Sequence, residues 1–224
     1  LTEEELECIS GMRPGLIQLE IGVQSTNPAT LKEIRRKTDF SMIAQKVGRV
    51  QAMGNTHQHL DLIAGLPYED LDTFQKSFAD VYALRPDQLQ LGFLKVLSGS
   101  YMHEAAEEYG CVYKSREPYE VLSTKWLSYG ELLLLKSVEE MVEIYYNSGQ
   151  FTRTLRYVEP FFDSAFEMYR KLGTFYEERG YDLISHSRLR RYEILMEFLE
   201  GREEISMERV REEMLTDLYL RENL

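Results

Sequence analysis

Glu20 and Asp61 are the acidic residues best placed to do chemistry in this sequence. Each interrupts an apolar, strand-like run, Leu19-Glu20-Ile21 and Leu60-Asp61-Leu62. A carboxylate buried there without a partner is costly, so each points to a ligand or a hydrogen-bond role. His57 and His59 alternate on the same run as Asp61 and so share a strand face. Two same-face histidines can bind a metal, but no third ligand stands near in sequence, and an ordinary strand-face role is the simpler reading. Cys8 and Cys111 are the only cysteines and form no CxxC-type pair. That excludes a disulfide framework and a self-contained metal cluster. GxSxG, P-loop and HExxH motifs are absent, and Gly22 lacks the further glycines of a dinucleotide fingerprint.

The elements that must hold these groups alternate between strand and helix. Leu16 to Val23 reads as a short apolar strand entering a Gly-containing turn. Ser25 to Asn27 offer N-caps, Pro28 suits a first helical turn, and that helix reads through Leu31 and Ile34 to about Arg36. A second helix begins near Asp39, shows Ile43, Val47 and Val50 at helical spacing, and stops at Gly54-Asn55. His57 to Ala64 is the next strand, ending in Gly65-Leu66-Pro67. Asp70 or Asp72 then caps a helix with Phe74, Phe78 and Val81 on one face, and Gln88 to Leu97 reads as a third strand. Strands separated by amphipathic helices imply parallel β/α units. In such folds ligands sit at the C-terminal strand ends, here Gly22 to Ser25, Asp61 to Pro67 and Leu94 to Gly99. From Ser98 onward strand signals fade, and helices are expected at about 101–109, 129–146, 161–178, 185–200 and 206–219. The expected domains are therefore 1–97, α/β, and 98–224, all-α. Aromatics crowd the second part, including Trp126, Tyr145, Phe151, Phe166, Tyr169 and Tyr176; they form either a helical core or the lining of a substrate cavity.

Two segments carry a family resemblance. Leu19-Glu20-Ile21-Gly22-Val23-Gln24-Ser25-Thr26-Asn27 resembles the fourth strand of a radical S-adenosylmethionine (SAM) barrel, where GVQS or GVES recurs. His59-Leu60-Asp61-Leu62-Ile63-Ala64-Gly65-Leu66-Pro67 is similar to the fifth-strand DLIxGLP motif of the same enzymes. Oxygen-independent coproporphyrinogen oxidases and their relatives share both. The resemblance implies the last three β/α units of a radical SAM barrel. It implies that Gln24, Arg36 and Asp61 contact SAM, with Glu20 and Gln24 near the ribose hydroxyls. Arg36 would meet the methionine carboxylate, Ile63 to Leu66 (with Gly65) would pack beside adenine, and Leu94 or Lys95 would reach adenine through its backbone. In the helical part, Leu97-Ser98-Gly99-Ser100, Tyr119 to Trp126 and Tyr145-Tyr146-Asn147-Ser148-Gly149 resemble an uncharacterised domain that follows the radical SAM core in some cobalamin-binding members.

The departure from that family lies in the cluster. Its CxxxCxxC motif, which holds a [4Fe–4S] cluster by three thiolates, is missing, and neither Cys8 nor Cys111 replaces it. With a first residue other than Met, the expectation is a C-terminal piece of a longer enzyme. The parent would cleave SAM reductively to a 5′-deoxyadenosyl radical, with an electron donor such as flavodoxin or ferredoxin, a cluster bound outside this chain, and a cobalamin in some relatives. The piece alone is expected to be inactive. The competing expectation is a non-catalytic helical interaction or substrate-docking module on a degenerate α/β scaffold. A net charge of −12 disfavours nucleic-acid partners, no apolar run is long enough to span a membrane, and two unpaired cysteines fit a reducing cytoplasm. An incomplete barrel would leave the fourth-strand edge open to pairing with another chain, as in an edge-strand dimer.

Overall fold

Thr2 starts the first helix, α1 (Glu3–Ser10), with a capping box. Its hydroxyl accepts from Glu5 N at 3.2 Å and the Glu5 carboxylate accepts from Thr2 N at 2.6 Å. Strand β1 (Gln18–Gln24), helices α2 (Pro28–Glu33) and α3 (Phe40–Met53), strand β2 (His57–Ala64), helix α4 (Leu71–Ala83) and strand β3 (Gln88–Phe93) follow. The local signals act where they stand. Asn27 and Asp39 cap α2 and α3, Gly54 closes α3 at φ 67°, and Asp70, not Asp72, caps α4. Arg49 on α3 grips Glu3 on α1 through two hydrogen bonds of 2.7 and 2.8 Å.

The computed structural model describes residues 1–222, which divide into two compact units, Leu1–Leu133 and the described residues from Leu134 onward. In the first, β1, β2 and β3 pair in that order, all parallel. Burial alternates strictly along β2: Gln58, Leu60, Leu62 and Ala64 are buried, while His59, Asp61 and Ile63 are half-buried. The buried side, with Val23, Leu89 and Leu91, makes the core together with Phe74, Phe78 and Val81 of α4. Each such apolar side chain contributes about 1.5–3 kcal/mol. No strand covers the outer edge of β1 among the described residues. A cavity of about 480 Å³ runs beside it, lined by Leu19, Ile21, Met42, Ile43 and Val50.

The expected strand through Leu97 stops at Phe93, and the boundary expected at residue 97 falls inside the first unit. The chain after β3 turns onto a later segment. Val121 N donates to Leu94 O at 2.9 Å, Val96 N to Tyr119 O at 2.9 Å, and Lys95 bridges Glu120 antiparallel. Two very short strands, β4 (Val112–Tyr113) and β5 (Val121–Ser123), form an antiparallel pair where an all-helical region was expected. The helix expected at 101–109 shrinks to α5 (Tyr101–Glu104).

The division between the units falls within α6 (Tyr129–Met141), which continues as a π-helical turn, Val142–Asn147. Helices α7 (Thr152–Val158), α8 (Ala165–Arg179), α9 (Arg188–Leu199) and α10 (Met207–Glu222) complete the second unit, with a short 3₁₀ turn at Glu159–Phe161. Every element described there is helical. Asp217 of α10 caps the start of α7, accepting from Arg153 N and Thr154 N at 2.9 Å each. Tyr145, Phe151, Phe166, Tyr169 and Tyr176 are at most 2% exposed, so these aromatics form a core. Buried hydroxyls need partners, and Tyr145 and Tyr176 meet at 2.7 Å.

One buried carboxylate ties the β1–α2 loop to the β2–α4 loop. Glu69 is fully buried, and its Oε1 accepts from Ser25 Oγ at 2.6 Å and Ser77 Oγ at 2.8 Å. Its Oε2 has no partner among the described residues. Burial pushes the Glu69 carboxyl from 4.5 up to about 7, against the two serine hydrogen bonds that lower it.

Three stability predictions follow from these contacts. Gly65 has φ 91° and a Cβ on it would stand 2.8 Å from Val121 Cγ1. Gly65→Ala therefore costs about 1–3 kcal/mol in urea denaturation. Gly48, mid-α3 with open space around it, gives the opposite sign, Gly48→Ala gaining about 0.5–1 kcal/mol. Because the fold holds Glu69 protonated, its favourable contribution is complete below pH 4.5 and lost as pH rises through about 7. Glu69→Gln cannot ionise, so its stability relative to the wild type improves between pH 5 and pH 8, by roughly 2–3 kcal/mol. A pH-independent difference rejects the assignment.

Candidate functional site

The parallel register gathers one polar face. Gln18 pairs with His57, Glu20 with His59 and Gly22 with Asp61 across β1 and β2, and Asp61 pairs with Gln90 and Ile63 with Gly92 across β2 and β3. Paired residues of parallel strands stand side by side on one face, so Glu20, His59, Asp61, Ile63 and Gln90 share it. His57 and His59 lie on this face as their spacing requires, with ring centroids 4.8 Å apart. His59 Nδ1 lies 3.5 Å from Gln18 Nε2, while its Nε2 is buried without a partner among the described residues. No group of three His, Cys, Asp or Glu side chains there is arranged to hold a metal.

At the C-terminal end of β1 the register slips between Gly22 and Gln24. Such a bulge re-aims the residues after it. Gln24 takes φ 70°, a region that non-glycine residues seldom occupy. A Cβ on Gly22 would stand 2.5 Å from Gln24 Nε2 and 3.4 Å from Arg36 Nη1. The Gln24 amide and the Arg36 guanidinium thus both lie over Gly22, beside Asp61. Asp61 itself is half-buried, and its carboxyl is raised by that burial first and by the Glu20 charge second, with His59 opposing. Gln24 and Arg36 therefore meet over Gly22, the register partner of Asp61, while Glu20, itself exposed, acts on Asp61 from the same face.

Arg36 reaches that spot from a turn and not from a helix. Helix α2 ends at Glu33, Ile34 caps it, and Arg35 takes φ 59°, so the expected helix through Arg36 is three residues too long. The other expected contacts lie differently. Ile63 is on the polar face, whereas Leu66 and Leu94 are buried at 3% and 6% exposure. Gly65 packs against Val121 and Leu94. Leu94 N donates to Ala64 O at 2.9 Å, and Leu94 O accepts from Val121 N, so both backbone groups are already engaged.

Sequence reasoning missed two groups around these residues. Glu69 stands in the motif itself, directly before the capping Asp70, and an acidic residue between two apolar segments was its signal. The second is an aromatic group over the end of α2. Glu33 accepts from Tyr101 Oη at 2.9 Å and from Tyr109 Oη, and the Arg35 guanidinium lies 4.2 Å from the Tyr101 ring centroid. No local pattern marks contacts between residues so far apart in the chain.

Comparison with known proteins gives two separate likenesses. The chain is 30% identical over 90 residues to the oxygen-independent coproporphyrinogen III oxidase of Escherichia coli (strain K12), a stretch that is 40% of this chain and 20% of that protein. It is 31% identical over 77 residues to the enzyme of the same name from Paracoccus denitrificans, covering 34% of this chain and 17% of the relative. The chain thus spans about a fifth of the length of the curated relatives it matches. Among solved structures, coproporphyrinogen III oxidase (HemN) from Escherichia coli, described as a radical SAM enzyme, aligns with a TM-score of 0.43 and 22% identity, over 66% of this chain and 30% of that one. The model of a protein family of unknown function, DUF4080, matches residues 107–224, more than half of the chain and beginning beside the buried Tyr109, and to that family the chain belongs.

Proposed function

We propose that the polar face of the β1–β3 sheet is part of a SAM site, and that this chain serves a radical SAM enzyme. The observation that carries the reading is the placement of Gln24 and Arg36 over Gly22, whose register partner is Asp61 and whose face also carries Glu20. Sequence similarity to oxygen-independent coproporphyrinogen III oxidases supports it.

The donor set fits the ligand. The Arg36 guanidinium presents a planar fork of N–H donors suited to the methionine carboxylate. Asp61 and Glu20 accept hydrogen bonds from ribose hydroxyls, and the Gln24 amide can donate and accept beside them. Ile63 offers an apolar surface beside the adenine. The missing side chain at Gly22 leaves room for the Gln24 amide and the Arg36 guanidinium close to the backbone, one use of a glycine within a strand. When bound, SAM would supply the radical chemistry that the resemblance implies. The task of these residues is to orient it and to keep its charged end against Arg36.

The residues do not fit an iron–sulfur cluster. The chain has two cysteines, Cys8 and Cys111, and no three-ligand group among the described residues. A cluster, in this reading, is bound by residues outside this sequence.

Titration calorimetry tests the site directly. The 224-residue chain is expected to bind SAM saturably, and Arg36→Ala to weaken it by roughly tenfold or more, the loss of a charge-assisted hydrogen bond. Asp61→Asn is expected to weaken binding less, because an amide oxygen still accepts from a hydroxyl. Wild-type affinity in an Arg36→Ala, Asp61→Ala double variant removes the proposal. Anaerobic reconstitution with iron and sulfide is expected to leave the chain colourless, and a bound brown chromophore contradicts the assignment of the cluster elsewhere.

A further inference from the structure

We infer that Glu33, Tyr101 and Tyr109 are positioning residues that hold Arg36 over Gly22. The inference rests on the SAM reading of the site and adds a role for side chains that touch no ligand.

The segment that delivers Arg36 has little to hold it by itself. Helix α2 has 6 residues, below the length at which a helix is stable alone. Arg35, the residue before Arg36, is exposed and sits in the left-handed region at φ 59°, a conformation a non-glycine residue keeps only where its surroundings enforce it. Arg36 N donates to Leu31 O at 2.8 Å, which closes the turn. The backbone alone does not fix where the guanidinium points.

Side chains from a distant segment supply the constraint. Tyr101 Oη donates to Glu33 Oε1 at 2.9 Å, Tyr109 Oη donates to the same oxygen, and the two hydroxyls stand 3.0 Å apart. The Tyr101 ring also carries the Arg35 guanidinium at 4.2 Å, a cation–π contact. Glu33 and Arg35, flanking the turn that leads into Arg36, are therefore fastened to one aromatic group. That group is itself anchored. Tyr109 is 2% exposed, its ring lies 5.7 Å from that of Trp126, and its carbonyl accepts from Lys125 N at 3.0 Å. Charge states suit the arrangement. The tyrosine hydroxyls, Tyr109 first, hold the Glu33 carboxyl below its usual range, and burial followed by the Glu33 hydrogen bond pushes the Tyr109 hydroxyl up. The acceptor stays ionised and the donor stays protonated throughout the physiological range.

A ligand pair separates positioning from mere structural support. 5′-Deoxy-5′-methylthioadenosine has the adenine, ribose and sulfur of SAM but no carboxylate for Arg36. Calorimetry with the whole chain is expected to show Tyr109→Phe and Glu33→Ala weakening SAM about fivefold, the worth of a lost hydrogen bond. Methylthioadenosine affinity is expected to change less than twofold. Glu33→Gln, which keeps an acceptor for both tyrosines, is expected to retain most of the SAM affinity. Equal loss for both ligands makes the group structural only, and unchanged SAM affinity in Glu33→Ala removes its role; either result overturns the inference while leaving the site. A wild-type chain that binds neither nucleoside, or both equally tightly, overturns the SAM reading beneath it.

Discussion

The register of β1 against β2 is the constraint on which the rest of the first unit depends. Side chains of a strand alternate between faces, so a slip of one residue would exchange the two faces of β1. In the observed register Glu20 stands beside His59, Gly22 beside Asp61, and Val23 is fully buried on the other side. Slipped by one, Leu19 and Ile21 would face the polar side, and Glu20 would have to enter the core. Burying apolar area on one side and keeping carboxylates off it are the same requirement, and together they specify the pairing. The bulge after Gly22 then breaks the alternation once, at the strand end, where Gln24 is turned back over the face.

Holding that end still is a separate problem, because loops carry few backbone hydrogen bonds of their own. Glu69 addresses it by accepting from Ser25 and Ser77 in a fully buried position. Ser25 Oγ also accepts from Asn27 N at 3.0 Å, and Thr26 Oγ1 donates to Asp80 at 2.6 Å. The motif residues Ser25 and Glu69 thus meet each other and not the open face, while their neighbours Gln24 and Asp61 border it. A recurring motif here mixes two jobs: some of its residues shape the loop and others line the space the loop surrounds.

What could be read from the sequence was what local physics decides. Asn27-Pro28, Asp39, Gly54 and Asp70 mark helix ends through hydrogen bonds to near neighbours, and the alternation in His57 to Ala64 announces one buried and one open face. That Glu20 and Asp61 share a face followed from two strand motifs whose relative placement parallel pairing fixes. The unread parts depend on distant partners. Strands of two and three residues, Val112–Tyr113 and Val121–Ser123, are too short for any periodicity. The stop of α2 at Glu33 is tied to Tyr101 and Tyr109, and nothing within the helix signals it. The first unit extends past residue 97 because backbone groups of Leu94 and Val96 pair with Tyr119 and Val121, a choice invisible in either segment alone.

A polar sheet face can be nothing more than a wetted surface, and composition alone does not separate that from a site. The glycines do. Gly22 and Gly92 stand in the two strands that flank β2, on the same face as Asp61, and neither has the positive φ that would require glycine. Glycine within a strand loses packing and raises the entropy cost of folding, so a surface shaped only by water would favour Thr or Val there. At Gly92 a Cβ would meet Leu62 O at 3.4 Å and Ile63 Cγ1 at 3.7 Å, a tolerable fit. At Gly22 it would displace the Gln24 amide and crowd Arg36. The stability given up at Gly22 therefore has a local use: it lets two long polar side chains pass over a strand position whose register partner is Asp61. The fold by itself has no need of a glycine at that position, and the room it leaves is taken by Gln24 and Arg36.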